Sequence, residues 1–180
     1  ALGGWTRGSQ GGGHRILLVD TRSGSFLRVL DVGPQVVNFL AFSPDGQRLA
    51  AHLGGDLGVR LIRVADGVQL GQDLDYARPS YRGAFDAKGH YAATGDDGFI
   101  RRYDGAFKLV KRVKASAAGP FGLAFSPDGT RLDGVVGAHG ARHLLAGRLG
   151  DLVGRGRSAD RPIPTLAPAR GRPCHLLGAP

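Results

Sequence analysis

Ala41-Phe42-Ser43-Pro44-Asp45-Gly46 returns as Ala84-Phe85-Asp86-Ala87-Lys88-Gly89 and again as Ala124-Phe125-Ser126-Pro127-Asp128-Gly129, at offsets of 43 and 40 residues. A second landmark keeps the same period. Ile16 to Asp20 has counterparts at Val59 to Arg63, Ile100 to Asp104 and, weakly, Arg142 to Ala146, whose last residues lie 43, 41 and 42 apart. Two unrelated landmarks sharing one period define a tandem repeat, and a repeat decides the architecture before any local reading does.

Each unit reads as four short strands. The first, such as Val36 to Phe42, ends in Ser-Pro-Asp-Gly, where proline presets φ and glycine accepts a positive one, so a tight turn follows. The second, Arg48 to Leu53 or His90 to Thr94, ends at Gly54-Gly55-Asp56 or Gly95-Asp96-Asp97-Gly98, another hairpin signal. The third is the Val59 to Arg63 type, closed by a turn at Gly24, Gly67 or Gly150. The fourth is Phe26 to Leu30, Val68 to Leu70 or Leu109 to Val113. Composition agrees: all 15 acidic residues are Asp, Met is absent and Gly numbers 31, so helix formers are scarce and turn formers abundant. A period of 40–45 residues with four strands per unit is the signature of a propeller whose blades bury their faces on one another.

Phe-Ser-Pro-Asp-Gly-x-Arg-Leu and Gly95-Asp96-Asp97-Gly98-Phe99-Ile100-Arg101-Arg102-Tyr103-Asp104 resemble the turns and third strand of the WD-repeat β-propellers, over residues 14–155. At the Trp-Asp position the chain carries Val19-Asp20, Ile62-Arg63, Tyr103-Asp104 and Leu145-Ala146. The structural Asp of that family, six residues earlier, corresponds to Asp56 and Asp97 and is replaced by Gly13 and His139. The resemblance implies an all-β fold: β-propeller blades of four antiparallel strands in an incomplete ring. Within residues 1–155 it gives a partial first blade over 5–32 and further blades over 34–74, 76–114 and 117–155. Four units at most fit the length, so the expectation is a fragment of a longer, soluble and cytoplasmic protein. Bacterial relatives of such repeats often carry an effector domain beside the propeller.

Residues 156–180 form a basic, Pro/Arg-rich tail in which the repeat fails. Either it is disordered, or it is an out-of-frame end no longer faithful to its ancestor. Seven Arg against two Asp from residue 139 onward supply more than half of the net charge of +9. Phosphate contacts are open to such a tail, but it lacks the aromatic platforms of single-strand binders, which argues against nucleic acid as partner. No apolar stretch is long enough to span a membrane.

Catalytic motifs are wanting. The chain has no Gly-x-Ser-x-Gly and no phosphate loop, and Gly11-Gly12-Gly13 precedes a strand where a dinucleotide fingerprint would follow one. The single cysteine, Cys174, excludes a disulfide framework. His139 and His143 with Cys174-His175 are read as loop and tail residues before they are read as zinc ligands, so no metal and no cofactor is assigned. Asp96-Asp97 reads as turn chemistry in preference to paired acids, and Asp56 and Asp97 as structural turn residues.

What remains is binding. The resemblance implies a rigid scaffold contacting a protein or peptide through the face lined by first-strand openings and second turns. Asn38, Tyr81 and Phe121 each lie three residues before the repeated Ala-Phe, and the resemblance puts them on that face with Asp96. Tyr81 beside Arg78 and Arg82 has the composition of an interface hot spot. The expected function is a non-enzymatic interaction scaffold. The alternatives are a lactonase- or hydrolase-like enzymatic propeller, and a basic nucleic-acid-binding protein.

Overall fold

The computed structural model describes residues 1–3, 13–115, 120–138 and 141–148. They form thirteen strands. These are β1 (His14–Val19), β2 (Phe26–Gly33), β3 (Val37–Phe42), β4 (Arg48–Leu53), β5 (Val59–Arg63), β6 (Gln69–Asp73), β7 (Ser80–Phe85), β8 (Tyr91–Gly95), β9 (Phe99–Tyr103), β10 (Leu109–Lys114), β11 (Pro120–Phe125), β12 (Arg131–Ala138) and β13 (Ala141–Arg148). Every paired strand is antiparallel to its sequence neighbour. The sheets run β1-β2, β3-β4-β5-β6, β7-β8-β9-β10 and β11-β12-β13, and among the described residues they do not close a ring. Leu2 adds one bridge to the free edge of β1, through two hydrogen bonds of 2.8 Å to Leu17. Among the described residues no helix is long and apolar enough to cross a membrane.

The Ser-Pro-Asp-Gly turns show why the hairpins close where they do. Ser43 Oγ donates to Asp45 Oδ1 at 2.5 Å and accepts from Arg48 N at 2.9 Å. Ser126 does the same with Asp128 (2.6 Å) and Arg131 N (2.9 Å). Gly46 and Gly129, at φ of 69° and 67°, take the left-handed corner that a Cβ would strain. In the middle copy Asp86 replaces the serine. Its Oδ1 accepts from Lys88 N and His90 N, and its Oδ2 bonds His90 Nδ1 at 2.7 Å. The turn survives a change of residue because a short oxygen acceptor at that position is all it needs.

Burial follows the stacking of sheets. β8 is wholly buried and β4 nearly so. Strands buried on both faces cannot alternate apolar with polar, and this is why Leu49-Ala50-Ala51 and Tyr91-Ala92-Ala93 run without a polar break. Leu49, Ala51 and Leu53 pack on Ile16, Leu18, Leu30 and Val32 of the first sheet. Ala50, Val59 and Leu61 face Tyr91, Ala93 and Tyr103 of the third, and Ala92 and Ile100 meet Leu132 of the fourth.

Two strands differ most from their sequence expectation: β2 runs on to Gly33 where Leu30 is expected, and β6 is displaced. β6 begins at Gln69 and runs to Asp73, where Val68 to Leu70 is expected. Asp66 Oδ1 caps Val68 N at 3.0 Å, holding that residue in the turn. Gly71 continues the strand by pairing with Leu61, and the Phe107 ring lies on it so closely that a Cβ there would be 3.0 Å from Phe107 Cδ1. The expected fourth strand after Gly150 and the tail of residues 156–180 lie outside the described residues.

Candidate functional site

The first strands β3 and β7 are edge strands of their sheets, as is β11 of the described fourth sheet, and β7 packs against both of the others. Each carries the same irregularity near its start. The ladder slips between Val37 and Phe39, between Ser80 and Arg82, and between Pro120 and Gly122. The residues skipped are Asn38, Tyr81 and Phe121, the three positions singled out from the repeat. A bulge leaves one residue out of the pairing and re-aims its side chain. The equivalence read from sequence thus has a backbone counterpart.

The three side chains do not behave alike. Asn38 Nδ2 donates to the Ser80 carbonyl at 2.9 Å, spanning from the second sheet to the third. Ser80 Oγ in turn donates to Gly58 O at 2.6 Å, so the two sheets are tied at this end by polar bonds. Tyr81 is half-buried. The side chain of Phe121 lies outside what the structure describes.

Arg78 and Asp96 come together from different loops. The connector before β7 and the β8–β9 turn are joined by Asp96 N donating to Pro79 O at 2.9 Å, and the Arg78 guanidinium stands 3.7 Å from Asp96 Oδ2. Arg78 is exposed and Asp96 partly so, which makes this a solvated pair of small energetic weight and accessible charge. Arg82, also exposed, lies over the Phe39 ring at 5.1 Å. Tyr81 and Arg82 thus stand on β7, Arg78 on the connector before it and Asp96 on the β8–β9 turn.

Asp97 and Asp56, equivalent in sequence, have different environments. Asp97 Oδ1 accepts from Phe99 N at 3.1 Å and from Arg101 at 3.2 Å, and Oδ2 takes the second arm of the guanidinium at 2.5 Å. Arg101 is fully buried, donates also to the Asp75 carbonyl, and lies 3.7 Å above the Tyr76 ring. Burial alone would push the Asp97 carboxyl up, but the bidentate Arg101 and the Phe99 amide hold it below its usual range. Next to it Tyr103 donates its hydroxyl proton to Asp73 at 2.6 Å, so Tyr76 must donate to Tyr103 across 3.1 Å. Burial raises both phenols far out of the physiological range. Asp56 is exposed at its turn.

The buried polar residues His52, Tyr76 and Tyr91 escaped the sequence reading. His52 and Tyr91 are joined across the second and third sheets, and burial, with Arg82 nearby, lowers the imidazole to about 3. The signal was a histidine inside an otherwise apolar strand. For Arg101 it was a cation at a core-facing position with an Asp four residues earlier.

Successive antiparallel four-stranded sheets with apolar faces stacked in sequence order make this a β-propeller-like, all-β protein. No protein-family model matches the chain, and no curated protein matches it. Solved structures do. A chain in the crystal structure of the mitotic checkpoint complex is 20% identical with a TM-score of 0.61, the match covering 67% of this chain and 39% of that one. Hydrazine synthase of Kuenenia stuttgartiensis is 16% identical with a TM-score of 0.68, covering 77% and 41%. At these identities the likeness is one of fold alone. The chain spans about two fifths of the length of either.

Proposed function

We propose that this protein is a non-enzymatic scaffold of the WD-repeat kind, binding a protein or peptide at the inner rim formed by Tyr81, Arg78 and Asp96, with Asn38 and Phe121 at the flanking bulges. The observation that carries the reading is the half-buried Tyr81 at a bulge between two exposed arginines. An aromatic ring at a bulge, flanked along the chain by cations, supplies contact area at low entropic cost. The buried polar groups described above support it from the other side, for His52, Asp73, Asp97 and Arg101 are spent on bracing the interior. One structural neighbour is a component of a protein complex, which agrees with a scaffold.

The test is site-specific photocrosslinking in the native host. A photoreactive residue at Tyr81 should trap a protein of defined mass, and the same residue at Lys88, on the opposite turn, should not. Tyr81→Ala should abolish co-purification of the trapped protein while the melting temperature stays put. Trapping of the same protein from both positions, or unfolding of Tyr81→Ala, would overturn the assignment.

A further inference from the structure

Cations oppose one another in two successive rows of the β9–β10 ladder. Arg101 pairs with Arg112, and Arg102 with Lys111. Like charges directly opposite each other destabilise a sheet unless something neutralises them. The first row is neutralised within the protein, Arg101 by Asp97 and Arg112 by Asp75. The second is not. Among the described residues neither Arg102 nor Lys111 makes an ion pair. Arg102 Nε and Lys111 Nζ are both shut off from solvent without a hydrogen-bond partner.

The excess charge is particular to this repeat unit. Residues 76–115 hold nine Lys or Arg against four Asp, whereas residues 34–75 hold three against five. At the ladder positions of Arg102 and Lys111 the second sheet carries Leu61 and Gly71, which pack with Phe107. Guarding of a bare edge does not explain the cations of β10 either. β2 exposes Phe26, Leu27 and Val29 at the edge of its sheet with one cation, Arg28, and the edge strand β6 has none.

β10 ends its own sheet, so the place beyond Lys111 in the row is open to a further strand. Ala115 N donates to Gly98 O at 2.9 Å. Backbone bonds alternate along an antiparallel ladder, so Lys111 and Val113 turn theirs to β9, while Arg112 and Lys114 turn theirs to the free edge. Val110, Arg112 and Lys114 are exposed there.

We propose that β10 receives an extended acidic segment of a partner protein as a fifth, antiparallel strand, with a glutamate beside Lys111. The added strand brings N–H donors to the outward carbonyls of Arg112 and Lys114, which a nucleic-acid backbone of phosphates does not offer. Its residue opposite Lys111 lies on the same face, about 4.5–5.5 Å away between Cβ atoms, within reach of a glutamate carboxylate. The row of Arg102 and Lys111 thereby gains what Asp97 and Asp75 give the neighbouring row. The proposal goes beyond the Tyr81 rim and stands without it, because the two surfaces share no residue.

The probe is an acetylated, amidated hexapeptide alternating threonine with glutamate, titrated into the full chain while the backbone amide NMR signals are followed. Shifts are expected at Arg112 and Lys114. Glutamine for glutamate in the peptide, or Lys111→Met in the protein, should weaken binding about fivefold, and Lys111→Arg should retain it. In this register the threonine amides face β10 and the glutamate amides face away. N-methylation of the threonines should therefore abolish binding, and N-methylation of the glutamates should not. Tyr81→Ala should leave binding unchanged. Failure to bind at about 1 mM peptide, full strength in Lys111→Met or with N-methylated threonines, or shifts confined to β2 or β6 would overturn the proposal. Displacement of the peptide by an oligothymidine would overturn it too, and make the strip a nucleic-acid site.

Discussion

His52 Nε2 and the Tyr91 hydroxyl lie 2.6 Å apart across the boundary between the second and third sheets, and neither side chain reaches solvent. The imidazole belongs to β4 and the phenol to β8, so this is a polar contact between successive blades. His52 Nδ1 has no hydrogen-bond partner among the described residues. The pair therefore couples the protonation of one residue to the packing of two sheets.

Stability should fall as pH drops from 6.5 towards 3. The folded imidazole titrates at about 3 against 6.5 in the unfolded chain, because burial and then Arg82 oppose its charging. Below 6.5 the unfolded state takes up a proton that the folded state refuses, so acid favours unfolding, by up to about 1.4 kcal/mol per pH unit across that window. The lowered carboxylates, Asp128 at about 2 among them, act with the same sign but lose their contribution only as pH drops through and below the ordinary carboxyl value of 3.8. Urea denaturation between pH 4.5 and 6.5, approximately where histidine alone titrates, should show the slope, and His52→Leu should flatten it. An unchanged slope in the variant would assign the acid sensitivity elsewhere.

Asp97→Asn and Asp56→Asn should part company. The first leaves the buried Arg101 charge without its carboxylate and should cost about 3–5 kcal/mol. The second changes an exposed turn residue and should stay within about 0.5 kcal/mol. Denaturation midpoints of the two variants, measured side by side, decide it. Equal losses would mean that Arg101 is stabilised by Tyr76 and Asp75 without need of Asp97.

These two aspartates also mark how far the sequence could be read. Period, turns and strand order were legible because they rest on local chemistry: Ser43-Pro44-Asp45-Gly46 closes a hairpin wherever it occurs. Equivalence in the repeat put Asp56 and Asp97 in one class, and their surroundings separate them. The separation comes from connector length, three residues before β3 and six before β7, which decides whether a tyrosine reaches the arginine. Such contacts link residues 25 apart or more, as Tyr76 and Arg101 are, and no local pattern encodes them. His52 and Tyr91, 39 apart, escaped for the same reason. The bulge positions were found because their spacing from Ala-Phe is fixed, whereas the engagement of Asn38 with Ser80 needed coordinates.

Gly83→Ala should destabilise the third sheet by about 1–3 kcal/mol through overpacking. Tyr91 lies across Gly83 so closely that a Cβ would strike its hydroxyl and the Ala92 carbonyl, and the phenol that bonds His52 would have to move. Gly105→Ala, with nothing within 4 Å of the new methyl, is the control and should be near neutral. Thermal melts of both, with the His52 ring signals followed by NMR, separate the effects. A neutral Gly83→Ala would show that Tyr91 has room to shift.

Asn38 and Tyr81 occupy equivalent bulges and should fail in opposite ways. Asn38→Ala removes the amide that reaches the Ser80 carbonyl, so it should lower stability by about 1 kcal/mol, the net worth of one such bond. It should scarcely alter capture of a partner, because the amide is already spent inside the protein. Tyr81→Ala removes a half-buried ring at the rim, so it should alter capture more than stability. Melting temperature and co-purification measured on the two variants form a two-by-two comparison. If Asn38→Ala lowers capture while Tyr81→Ala lowers only stability, the rim is centred on the second sheet and the third sheet supplies the packing.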